Sequence, residues 1–214
     1  MLIFTTFSMV ARCSKTSALG VCVSTAVPAV GDRVPHVEAG VGAIATQANT
    51  NILYGIHGLR LLKMGFSPQT ALESMLKEDP DRETRQAIII DREGRTAAFT
   101  GMETIEWKGH LIGNGYVVAG NMLVGSEVIE AMAQAFEVSE DELAERLMIA
   151  LEVGQAAGGD KRGKKSAALL VTSREHVGPR PLLDLRVDEH PDPVRELRRT
   201  FEGYKEWMKK QPRT

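Results

Sequence analysis

The chain has 214 residues, 43% hydrophobic and 25% charged, which suits one globular domain with a sizeable core. A formal net charge of −2, and a basic run at Lys161, Arg162, Lys164 and Lys165 with no aromatic residues between, argue against a nucleic-acid-binding protein. No apolar run reaches the roughly 20 residues of a membrane span, and the start has neither a basic leader nor a small-residue cleavage site, so a cytoplasmic location is the default expectation.

In chain order, Thr6 to Arg12 alternates as a strand, Ser14 to Ser17 is a polar turn, and Gly20 to Thr25 is a second β-rich run, so the chain opens on a hairpin. Cys13 and Cys22 fall on that hairpin; two reduced thiols are expected, with a cross-strand pair the alternative. Val34 to Val37 and Val41 to Thr46 continue the sheet. Ile52, Leu53, Ile56, Leu59 and Leu62 then recur at helical spacing, with Gly55 and Gly58 on the same helix and Gly65 as its stop. Ser67-Pro68 opens a second helix as N-cap and first-turn proline. Gln86 to Asp91 and Arg95 to Thr100 are strands joined by a turn at Asp91 to Gly94, and Gly115 to Gly120 is another strand. A helix carrying Val128, Ile129, Met132 and Phe136 follows. The next helix starts at a capping box from Ser139 to Glu142 and carries Leu143, Leu147 and Leu151. Strands at Ser166 to Thr172 and Asp184 to Asp188 and a helix from Pro193 complete the chain.

Strands cluster in hairpins instead of alternating singly with helices. That order predicts an α+β, four-layer αββα sandwich of two mainly antiparallel sheets between helix layers, in one domain spanning 1–214.

Several stretches resemble an uncharacterised prokaryotic family of the N-terminal-nucleophile (Ntn) hydrolase superfamily. They are Thr6-Phe-Ser-Met-Val-Ala-Arg12, Gly20-Val-Cys-Val-Ser-Thr25, Pro28-Ala-Val-Gly31, Ala39 to Gln47, Ala119-Gly-Asn-Met122, Gly158-Gly-Asp-Lys-Arg-Gly163 running into Ser166 to Leu170, and His190-Pro-Asp-Pro193. The element order is also similar to that of proteasome β-type subunits, where a threonine at the head of the first strand is the nucleophile and its own α-amino group the base. A hydroxyl needs such a base, and an α-amino group with pKa about 7.7–8.0 is available near neutrality.

The resemblance implies Thr6 as nucleophile, Asp160 as an orienting carboxylate and Asn121 as an oxyanion amide, with Ser24, Thr25, Thr46, Gln47 and Asn49 around the substrate. It implies an amidohydrolase for a small linear amide or peptide-like molecule, without cofactor or metal, acting as a homo-oligomer. The alternative is a non-catalytic binding or scaffold protein on the same fold. Each residue also has a structural role open to it: Thr6 and Thr25 as strand residues, Asp160 and Asn121 as turn braces, Thr46, Gln47 and Asn49 as helix caps. Met1 to Thr5 precede Thr6, so its amine is free only after autocleavage, further proteolysis or a different start. Arg33 and His36 lie where the proteasome carries an assisting lysine, and a surface role is expected for both.

Two other chemistries are disfavoured. Gly158 to Lys165 approaches a P-loop, but Lys165 stands where the magnesium-binding hydroxyl belongs, and the loop leads into a strand. The five histidines are scattered singly, without metal-ligand spacing, and a packing or hydrogen-bonding role is expected for His57.

Overall fold

The computed structural model describes residues 3–4, 6–172 and 181–211. The opening hairpin pairs β2 (Thr6–Arg12) with β3 (Leu19–Thr25), in a register from Thr6 opposite Thr25 to Arg12 opposite Leu19. It lies at the centre of a six-stranded sheet ordered β11 (Leu183–Val187), β10 (Ser166–Thr172), β3, β2, β9 (Tyr116–Gly120), β8 (Gly109–Gly113). The second sheet runs β5 (Gly42–Asn49), β6 (Arg85–Asp91), β7 (Thr96–Thr100). The free edge of β5 is shared: β4 (Pro35–Glu38) pairs with residues 42–45, and β1 (Ile3–Phe4) pairs with Ala48 and Asn49. All these pairings are antiparallel.

Strand alternation sorts the apolar residues into three layers. Val10, Val21, Val23, Ala43, Ile88, Ile90, Val117 and Leu170 fill the space between the sheets. Phe7, Met9, Val118 and Leu169 face α3 (Glu127–Val138), α4 (Leu143–Ala156) and α5 (Pro193–Lys209). Ile44, Ala87 and Ile89 face α1 (Leu53–Lys63) and α2 (Pro68–Glu78) on the other side. The result is the four-layer αββα sandwich expected from the element order.

Local signals held where they were backbone-specific. The Ser67 hydroxyl accepts from the Thr70 N–H at 3.1 Å, and Gly65 takes φ 95° at the end of α1. The expected capping box at Ser139 does not form. Ser139 Oγ donates to Asp141 Oδ2 at 3.0 Å instead, and α4 begins only at Leu143, with extended Glu142 at its N-cap. Two short strands, β1 and β8, carry little periodic signal and were not expected.

The largest difference is the face of α1. Tyr54, Gly55, Gly58 and Leu62 are the buried residues, whereas Ile52, Leu53 and Ile56 are exposed. Close approach to the sheet decides this. A Cβ on Gly55 would lie 2.1 Å from His36 Cδ2, and one on Gly58 would lie 2.5 Å from Ile44 Cδ1. His57 follows the exposed side and does not pack in the core. Both cysteines are free thiols.

Candidate active site at the head of the first hairpin

The inward face of β2 carries Thr6, Ser8 and Val10, because alternation sends Phe7, Met9 and Ala11 to the helices. Thr6 is fully buried. Its carbonyl accepts from the Asn121 N–H at 3.0 Å, and its cross-strand neighbour is Thr25. The Thr6 hydroxyl is buried and has no hydrogen-bond partner among the described residues. A buried polar atom left unpaired costs about 1–3 kcal/mol and so calls for an explanation.

Beside it, amide side chains knit the two sheets together. Ser8 Oγ donates to Gln47 Oε1 at 2.7 Å, and Gln47 Nε2 donates to Gln86 Oε1 at 2.7 Å. Asn121 Nδ2 donates to the same Gln86 oxygen at 2.9 Å. Gln86 Nε2 in turn faces Thr100 Oγ1 (2.9 Å) and the carbonyls of Gly109 (3.0 Å) and Gly120 (2.9 Å), so three acceptors share two hydrogens. Thr100 Oγ1 lies 2.8 Å from His110 Nδ1, and burial holds the His110 imidazole below its usual pKa. Asn121 Oδ1 is a second buried atom without a partner among the described residues. Two non-glycine residues with left-handed φ, Ala48 (68°) and Met122 (54°), immediately follow Gln47 and Asn121. Strain of this kind costs about 1–3 kcal/mol and concentrates at functional sites.

Asp160 closes the same end. It follows Gly158 and Gly159, both at positive φ, in the loop from α4 to β10. Its carboxylate is buried and held by Arg162, with Nε at 3.1 Å and Nη2 at 2.7 Å, and by the N–H of Arg162 at 2.9 Å. It also accepts from the Ala26 N–H at 3.3 Å and bridges Leu123 through the backbone. Ala26 follows β3 and Leu123 follows β9, the two strands flanking β2, so Asp160 spans the head of β2.

The remaining expected residues divide. Thr25 lies on the inward face with Thr6. Ser24 points the other way, its Oγ 3.4 Å from Gln155 Oε1 of α4. Thr46 faces α1, where its hydroxyl donates to the Asn51 carbonyl at 3.1 Å, and Asn49 Nδ2 donates to Thr84 Oγ1 at 3.1 Å. Arg33 pairs with Asp32 at 3.2 Å, and His36 sits 3.2 Å from the Arg33 carbonyl, partly buried against Gly55. The basic loop leads from α4 into β10, the reverse of a P-loop's strand-to-helix order. Among the described residues no group of three metal-ligating side chains occurs, and no helix is long and apolar enough to cross a membrane. Sequence reasoning missed Ser8, Gln86 and Thr100. The one available signal was a polar residue on the inward face of an otherwise apolar strand.

The chain as a whole is similar to solved structures. A solved protein from Silicibacter pomeroyi is 33% identical and superposes with a TM-score of 0.86, over 93% of this chain and 85% of that one. More distant are Anbu (ancestral β-subunit) from Yersinia bercovieri, at 12% identity, TM-score 0.42 and 97% and 99% coverage, and Anbu from Hyphomicrobium sp. strain MC1, at 8%, 0.44, and 97% and 98%. No curated protein matches the chain. The profile of the family of unknown function DUF1028 matches residues 6–197, beginning at Thr6 itself. The chain belongs to the family of unknown function DUF1028.

Proposed function

We propose that the protein is an Ntn-type amidohydrolase that cleaves a small linear amide or peptide-like substrate, with Thr6 as nucleophile. The observation that carries this reading is the buried Thr6 hydroxyl, unpartnered among the described residues, at the polar head of β2 between Asn121 and the Asp160 loop. With the amine of Thr6 free, that amine takes the hydroxyl proton as Oγ1 adds to the substrate carbonyl. The C–N bond then breaks, the proton passes to the leaving amine, and water hydrolyses the acyl-enzyme ester. Asp160, fixed by Arg162 at the head of β2, is the carboxylate this reading assigns to the developing ammonium. The second hydrogen of Asn121 Nδ2, beyond the one given to Gln86, is the donor for the oxyanion.

The test has two parts. Intact-mass measurement of the active preparation should find a chain beginning at Thr6, and Thr6→Ala should lower kcat/KM on the best amide substrate by at least roughly a thousandfold. Thr6→Ser should retain measurable turnover. Full amidase activity in a chain that keeps Met1, or in Thr6→Ala, rules Thr6 out.

A second reading has its own support. Ile3 and Phe4 form strand pairs with β5, which builds the preceding segment into the second sheet, and Asn121 already serves the Gln86 network. Both suit a non-catalytic binding or scaffold protein on this fold. That reading predicts no turnover across a broad amide library, so one robust turnover ends it.

A further inference from the structure

The end of the sandwich opposite Thr6 carries a second polar site. Arg12 is the last residue of β2, on the same inward face as Thr6, Ser8 and Val10. Three chain reversals meet there: the turn after Arg12, the β4–β5 turn at Gly40, and the β6–β7 turn at Arg92 to Gly94. Between them lies a cleft of about 670 Å³ lined by Arg12, Ser17, Gly40, Arg92 and Glu93. That volume is within the range of small-molecule sites.

The Arg12 guanidinium is poorly matched for a half-buried cation. Nη2 donates to Ser17 Oγ at 3.2 Å, while Nε is buried and has no acceptor among the described residues. No carboxylate among the described residues pairs with it, whereas Arg92 Nε lies 3.1 Å from Glu93 Oε1. The lining therefore holds two cations and one carboxylate, which leaves one uncompensated positive charge, on Arg12. The Arg12 backbone is held by its N–H, which donates to the Gly115 carbonyl at 2.9 Å. A planar guanidinium at a cleft wall, without a carboxylate partner among the described residues, is the group that oxyanions engage in two parallel hydrogen bonds.

We propose that this cleft binds a small molecule through an oxyanion group, carboxylate or phosphate, with Arg12 as its anchor. The site is independent of the Thr6 chemistry and lies at the other end of the fold. Its experiment is a titration of the full chain, with ¹⁵N-labelled arginine, by inorganic phosphate and separately by succinate at constant ionic strength. The Nε–Hε resonance of Arg12, assigned by its loss in Arg12→Lys, should move along a saturable curve with a dissociation constant at or below about 1 mM. Saturation by phosphate alone identifies a phosphoryl ligand, by succinate alone a carboxylate, and by both an oxyanion site of broad specificity. In Arg12→Gln the accompanying shift of the Gly40 backbone amide should disappear. Arg92→Gln, which removes the partner of Glu93, should weaken binding severalfold and serves if Arg12→Gln does not fold. A linear response in both arms, an equal response to chloride, or a saturable Gly40 shift that survives in Arg12→Gln overturns the proposal.

Discussion

Gln86 shows how one side chain can hold two sheets in register. It belongs to β6, yet its amide contacts Gly109 and Gly120 of the facing sheet and takes donors from Gln47 and Asn121. Gln86→Leu takes away the acceptor shared by the buried amide donors of Gln47 and Asn121. It should destabilise the fold by at least about 3 kcal/mol in urea denaturation, and a cost under about 1 kcal/mol would mean the network does not hold the sheets. The cysteines give a second residue-scale expectation. Burial pushes the Cys22 thiol up to about 12. At Cys13 burial also acts upward, but hydrogen bonds from the Thr16 hydroxyl and from the Thr16 and Lys15 N–H groups, with the charge of Arg146, outweigh it and lower the thiol. Iodoacetamide near neutral pH should therefore alkylate Cys13 and spare Cys22, read by peptide mass spectrometry; equal labelling of the native protein would contradict the burial of Cys22.

At the scale of elements, α1 and its strand connections are most exposed to single changes. Gly55 admits the His36 ring, so Gly55→Ala should cost about 1–3 kcal/mol, and much of that should return in the His36→Ala background, where the clash is gone. Below α1, Asp79 and Arg85 form a buried pair at 2.9 Å, joined by the Tyr54 hydroxyl at 3.0 Å, and Arg85 Nη1 donates to the Asn49 carbonyl at 2.7 Å. Burial alone would raise the Asp79 pKa. Bonds from Arg85, the Asp81 N–H and Tyr54 lower it below the usual value. A lowered folded-state pKa stabilises the fold above the unfolded value of about 3.9, and that contribution is lost as pH falls through the folded one. Arg85→Met strands the buried carboxylate and should cost about 3–5 kcal/mol at neutral pH. The gap from wild type should narrow in denaturation curves as pH falls through the lowered Asp79 pKa, below which the carboxyl is protonated in both proteins. A gap constant with pH would show that packing, not charge, sets it.

At the scale of the molecule, Phe4 belongs to one sheet and Thr6 to the other. Among the described residues, the strand pairs that a chain beginning at Thr6 loses are Ile3–Asn49 and Phe4–Ala48, and β2 keeps β3 and β9. It should retain the same circular-dichroism spectrum and lose about 1–3 kcal/mol; an unfolded product would mean that the leading residues are structural, and would weigh against their removal in function.

The sequence by itself determined the αββα order. Period-2 runs, helical stripes and the Ser67-Pro68 cap depend on neighbours within a few residues, and the chain carries those neighbours with it. The family resemblance offered Thr6, Asn121 and Asp160 as candidates, each on a motif contained within its own strand or loop. Tertiary structure alone decided which polar residues meet. Ser8, Gln47, Gln86 and Asn121 come from four separate segments, and their bonds exist only because two sheets stack with inward faces aligned. The same stacking turned Ser24 and Thr46 away from Thr6 and set the glycine side of α1, not its isoleucines, against the sheet. Hydrophobic period names a face for each element. The distance of closest approach between layers, which depends on both partners, decides which face is used.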